Sequence, residues 1–74
     1  MQRIKFTKNE RIVLEALQEG LEKTKRFLLS KRMFRSFAYD KINDTNKSRA
    51  FKRGFDSLLK KGFILEENGK YKIF

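Results

Sequence analysis

Cations dominate the side chains of this sequence that could do chemistry. Residues 25–61 hold twelve Lys or Arg and three Asp, a local net charge of +9 (12 − 3) within +10 for the whole chain. Lys31, Arg32 and Arg35 form one group, and Lys47, Ser48, Arg49, Lys52 and Arg53 another. Guanidinium and ammonium groups at this density hold anions through charge-assisted hydrogen bonds, and their summed field favours a polyanionic partner. Other chemistry is closed off by what is missing: the chain has no His and no Cys. Cys–His and Ser–His nucleophiles are therefore excluded, as are disulfides and thiolate or imidazole metal sites. The nine carboxylates are scattered with no motif around them. No catalytic residue, metal or cofactor is expected, and an enzyme is rejected.

At 74 residues the chain is expected to form one small domain, 1–74. An apolar content of 39% with eight Phe supplies a core and argues against a disordered polycation. No apolar run is long enough to span a membrane, so no membrane partner is expected. The start Met1-Gln2-Arg3-Ile4-Lys5-Phe6 has no apolar stretch, so a secretory leader is not expected and the cytoplasm is the default location.

The elements that must position the cations can be read from spacing. Thr7 and Glu10 form a capping box at the start of a first helix, in which Ile12, Val13, Leu14, Ala16, Leu17 and Leu21 recur at helical intervals. That helix ends at Gly20 or runs on to about Thr24. Arg26-Phe27-Leu28-Leu29 suits a short strand. Ser30 caps a second helix from Lys31 to about Ala38, with Met33, Phe34, Phe37 and Ala38 as its apolar stripe. Tyr39 to Asp44 reads as a turn anchored by Ile42. Asp44, Thr45 or Asn46 caps a third helix to about Lys61, cored by Phe51, Phe55, Leu58 and Leu59 and stopped by Gly62. Gly54 inside it costs about 1 kcal/mol relative to Ala, which a close approach by another helix would explain. Lys60 and Lys61 read as partners of that helix's C-terminal dipole. Asn68-Gly69 then joins two strand-like runs in a hairpin that pairs Glu67 with Lys70, Leu65 with Lys72 and Ile64 with Ile73.

The segment Phe51-Lys52-Arg53-Gly54-Phe55-Asp56-Ser57-Leu58-Leu59-Lys60-Lys61-Gly62-Phe63-Ile64, followed by the Asn-Gly hairpin, resembles the recognition helix and wing of a winged helix-turn-helix domain. The resemblance covers almost the whole chain as a pattern of spacing and apolarity. It implies an α+β fold: three helices, a short strand holding Leu28 and Leu29 that pairs with the wing, and a C-terminal hairpin. Phe51 and Phe55 are bulkier than the family's usual aliphatics, Gly54 stands where a small Ala is usual, and the turn before the third helix reads longer than the three or four residues typical of the motif.

Charge placement sharpens this. Residues 1–24 hold five Lys or Arg and four Glu, net +1 (5 − 4), and residues 62–74 two Lys and two Glu, net 0 (2 − 2). Lys31 and Arg32 fall in the first turn of the second helix, Lys47 and Arg49 in that of the third. Cations there oppose the helix dipole at a cost of roughly a few tenths of a kcal/mol each, yet with free backbone N–H groups they suit a phosphate. Asn46, Arg49, Ala50 and Arg53 form a stripe opposite the apolar one. In the winged-helix reading this stripe enters the major groove of double-stranded DNA. Arg49 and Arg53 then read guanine and Asn46 adenine. Lys31, Arg32, Arg35, Lys47, Ser48 and Lys52 contact phosphates. Asn68, Gly69, Lys70 and Lys72 form a wing whose contribution Glu66 and Glu67 dilute. A transcriptional regulator acting at the nucleoid is the expectation, with an RNA-binding or ribosome-associated winged helix, or a protein–protein module, as alternatives. Glu15, Glu19 and Glu22, off the basic surface, leave the first helix for a homodimer or protein partner.

Overall fold

The computed structural model describes residues 5–74 and places six elements in the order α1 (Lys8–Thr24), β1 (Leu29–Ser30), α2 (Lys31–Lys41), α3 (Lys47–Lys61), β2 (Ile64–Glu67) and β3 (Lys70–Ile73). Met1–Ile4, part of the segment read as lacking a leader, lie outside the described residues.

The capping box forms as its residues require: Thr7 Oγ1 accepts from the Glu10 N–H at 3.2 Å, and the Glu10 carboxylate accepts from the Thr7 N–H at 2.8 Å. Of the two ends open to α1, the chain takes Thr24, closed by Lys25 in the left-handed conformation. Gly20 instead gives room for packing, since a Cβ there would lie 2.5 Å from Leu29 Cδ2.

Two boundaries differ from the sequence reading. The strand expected over Arg26–Leu29 is reduced to Leu29–Ser30, and Leu28 lies outside it. The left-handed Lys25 turns the chain back on α1, where the Arg26 N–H bonds the Leu21 carbonyl at 3.2 Å. The ladder starts only after bends at Phe27 and Leu28, and Phe27 is left 95% exposed. The second correction concerns α2, capped by Ser30 as expected but continuing past Ala38 to Lys41. Nothing in Tyr39-Asp40-Lys41 breaks a helix, and Lys41 Nζ gains Glu19 of α1 at 2.5 Å. Only five residues, Ile42–Asn46, then separate α2 from α3.

α3 begins at its cap Asn46 and ends at Gly62, whose φ of 81° favours glycine. Gly54 marks the close approach: a Cβ there would meet the Asn9 carbonyl oxygen at 2.6 Å and Val13 Cγ2 at 2.8 Å. The helix that approaches is α1.

The antiparallel sheet has order β1-β3-β2. In the hairpin Glu67 faces Lys70, Leu65 faces Lys72 and Ile64 faces Ile73, the register expected from the Asn-Gly turn. Asn68 (φ 54°) and Gly69 (φ 79°) supply the two positive φ values of a type I′ turn. β1 adds to the other edge of β3, Leu29 opposite Tyr71. Phe34 of α2 centres the core, with its ring 5.3 Å from Phe51, 5.6 Å from Phe55 and 6.2 Å from Tyr71. These edge-on contacts lock α2, α3 and the sheet together. The bulky Phe residues of α3 therefore have a use: one small core must bridge two helices and a sheet. The result is the α+β layout of a winged helix, with the strand between α1 and α2 at its minimum. Among the described residues no helix is long and apolar enough to cross a membrane.

Candidate nucleic-acid interface

Cations of α2 and α3 meet at one opening. Lys31 and Arg35 of α2 and Ser48 and Lys52 of α3 line a shallow depression of about 110 Å³ floored by Phe51 and Phe55. All four polar residues are exposed. Lys31 Nζ sits 4.9 Å from the centre of the Phe55 ring, and the Arg35 guanidinium 6.0 Å from that of Tyr39. The aromatic faces thus lie beneath the charged heads themselves, and both residues remain exposed. Four of the six residues expected to hold phosphates, Lys31, Arg35, Ser48 and Lys52, share this opening, and Lys47 does not line it. Arg32 is exposed on α2 but does not line it.

On the opposite flank of α3, Asn46, Arg49, Ala50 and Arg53 line a groove of about 350 Å³ with Asn9, Asp44 and Thr45. Arg49 and Arg53 are exposed and enter no ion pair among the described residues. Three expected roles change. Ala50 is buried at 4% exposure rather than solvent-facing, because a helix packed on both α1 and α2 has too narrow an open face to include it. Asn46 Oδ1 accepts the Arg49 N–H at 3.1 Å as the helix cap, so its expected adenine-reading role is shared with a structural one. Lys47 donates to the Tyr39 carbonyl at 3.1 Å, stitching the start of α3 to the last turn of α2. Its phosphate role is thereby shared with a structural one.

Lys61 is also reassigned. Its ammonium reaches Glu10 Oε2 at 2.8 Å instead of serving only the helix dipole. Ser57 Oγ donates to the same oxygen at 2.7 Å. Glu10 is 1% exposed, and its carboxyl is held down to about 2 by the Lys61 ammonium first, then by the Thr7 N–H and the Ser57 hydroxyl. A cap residue read from sequence is thus a buried clamp between α1 and the last turns of α3. The i,i+3 box made its first bond legible, whereas Ser57 and Lys61 lie 47 and 51 positions away.

Sequence reasoning also passed over Asp56. It is exposed on α3, three residues after Arg53 and four after Lys52, and so shares their face. Within the wing, Lys72 lies 3.4 Å from Glu67, while Lys70 faces Glu67 across the hairpin and Ser30 across β1. The wing's own carboxylates thus partly answer its lysines. On α1, Glu19 is committed within the chain to Lys23 at 2.8 Å and Lys41 at 2.5 Å, which hold its carboxyl down to about 2, leaving Glu15 and Glu22 exposed. No cluster of three or more metal-ligating side chains occurs among the described residues.

Comparison with protein families, curated proteins and solved structures gives no match.

Proposed function

We propose that this chain binds double-stranded DNA as a winged helix-turn-helix protein and acts as a transcriptional regulator at the nucleoid, in the cytoplasm. In this reading the first two turns of α3 enter the major groove. Arg49 and Arg53 read guanine edges there, while Lys31, Arg35, Ser48 and Lys52 hold phosphates from the α2 side. The hairpin lies beside the duplex as a minor contributor. The carrying observation is the joint placement of exposed Arg49, Lys52 and Arg53 on one short stretch of helix, beside the Lys31/Arg35 opening. Cations kept out of ion pairs at two helix starts oppose the local dipoles, and a phosphate bound there repays that cost.

Titration against duplex DNA, duplex RNA and single strands over a range of salt tests it. Preference for duplex DNA is expected, with a log–log salt slope of about −4 to −7 for roughly five to eight phosphate contacts. Arg53→Ala should flatten the preference among duplex sequences, and Lys31→Ala should weaken all of them alike. Equal affinity for duplex RNA would replace this reading with recognition of A-form backbone. An absence of binding at about 50 mM salt would remove both.

A further inference from the structure

We propose that the start of α1 and the α2–α3 loop form a second wall of the same duplex site. Lys8 and its neighbours there would hold the strand opposite the one held by Lys31 and Lys52. This inference rests on the duplex-binding reading above and adds a surface that reading leaves unused.

The geometry is two-sided. One flank of α3 carries the α2-side opening. On the other, the groove containing Arg49 and Arg53 continues into a second depression of about 330 Å³, the two sharing Asn9, Asp44 and Thr45. The extension runs out to Lys8 and Asn43. A major groove is about 12 Å wide and walled by two backbones. A helix with its side chains is about 10–12 Å across, so each flank of a helix seated there meets one backbone. The donors on the α1 flank suit phosphate oxygens: an ammonium from Lys8 and amides from Asn9 and Asn43. The one acid in this stretch, Asp44, is exposed and lines both depressions, with its Oδ1 accepting from the Asn46 N–H at 3.1 Å and the Thr45 hydroxyl at 3.4 Å.

The charge along α1 gives an independent argument. By count, residues 1–24 are nearly neutral, which hides their layout. Lys5, Lys8 and Arg11 are exposed at the start, whereas Glu15, Glu19 and Glu22 come later and Glu10 is buried. Helix dipoles favour the reverse order. Exposed cations thus gather at the start of α1 as they do at the starts of α2 and α3, while Glu10 in the first turn and Lys23 in the last follow the dipole. Position is secured by Gly54, which seats the Asn9 backbone against α3 next to Arg53. The wall cannot drift from the helix it flanks.

Fluorescence titration of a short mixed-sequence duplex with the full chain tests this. Lys8→Ala should weaken binding about fivefold at roughly 100 mM salt and make the log–log salt slope shallower by about 0.9. Lys23→Ala removes the same charge from the other end of the same helix and should leave affinity within about twofold, with both variants melting together. Lys8→Ala with Lys52→Ala should lose about 1.8 in slope, since the two lysines hold separate phosphates. The proposal is overturned alone if Lys8→Ala matches Lys23→Ala while Lys52→Ala still weakens binding. A double variant that loses no more slope than either single one overturns the proposal, because a second wall requires phosphate contacts separate from those of Lys52. A wild-type chain that binds no duplex overturns this proposal together with the function it rests on.

Discussion

From Lys47 to Arg53, α3 carries four cations, and only Lys47 has a hydrogen-bond partner for its charged head among the described residues. From Asp56 to Lys61 the same helix carries two more beside an acid, and Lys61 is drawn onto the buried Glu10. Both halves are rich in lysine or arginine, and both bury one stripe in the same core. They differ in where the charge ends. In the first half the heads stand over open depressions, so their field is available to a ligand. In the second half Ser57 and Lys61 turn onto Glu10 and fasten α1 to α3, while Lys60 stays exposed. A count of cations cannot separate these two uses, but the partner of each cation can.

Gly54 sits at the boundary of the halves, and its replacement should have the largest effect. In Gly54→Ala the new methyl would meet the Asn9 carbonyl oxygen at 2.6 Å and its carbon at 2.9 Å, backbone atoms that cannot rotate away. Overpacking of this kind costs about 1–3 kcal/mol, of which helix propensity returns up to about 1 kcal/mol. A melting temperature lower by about 5–10 °C is expected in calorimetry. Duplex affinity should fall as well, because Arg53 adjoins the displaced contact. A variant as stable as the parent would mean that α1 slides freely on α3, and the boundary would lose its meaning.

Glu10→Gln addresses the second half alone. Glutamine can still accept from the Thr7 N–H but turns an amide donor toward Ser57 Oγ and Lys61 Nζ. A loss of about 2 kcal/mol at neutral pH is expected in denaturant unfolding, the usual worth of hydrogen bonds to a charged group, with the partly exposed Lys61 placing it no higher. The folded carboxyl titrates at about 2, below its ordinary 4.5. Its stabilisation is therefore complete above the unfolded value and is lost as pH falls from about 4.5 toward 2. The parent and variant stability curves should converge across that window. Duplex affinity of the folded variant should match the parent, and a large affinity loss would show that the two halves are not separable.

How much of this was legible depends on the range of the interaction. The capping box, the Ser30 cap, the Gly62 stop and the hairpin register are set by residues within a few positions of each other, and the chain adopts them as its spacing predicts. Gly54 could be read as a close approach, although the partner needed three dimensions. The misread features depend on distant residues. α2 runs on because Lys41 finds Glu19, and β1 shortens because Arg26 bonds back to Leu21. Of the stripe opposite the core, Arg49 and Arg53 do lie exposed as their spacing implied. Ala50 does not, because helical periodicity gives the direction of the apolar face but not the width that two packed neighbours impose. Charge summed over residues 1–24 likewise concealed the exposed Lys5, Lys8 and Arg11 gathered at the start of α1, ahead of Glu15, Glu19 and Glu22.

The smallest expected effect is also the one best placed to test the comparison. Asp56 is exposed on the face that carries Arg53 and Lys52, one turn nearer the C-terminus. If the nucleic-acid surface stops at Arg53, Asp56 is a like charge at its edge and repels the nearest phosphate through solvent. Asp56→Asn should then raise duplex affinity about two- to threefold at low salt, with an effect that fades as the Debye length shrinks and a melting temperature that barely moves. A fall in affinity confined to some sequences would carry the opposite meaning. A carboxylate in the major groove can accept from the amino group of cytosine, so that result would make Asp56 a base reader. The recognition surface would then extend into the half of α3 that Glu10 anchors, and the clamp would serve to aim that carboxylate as well as to hold the fold.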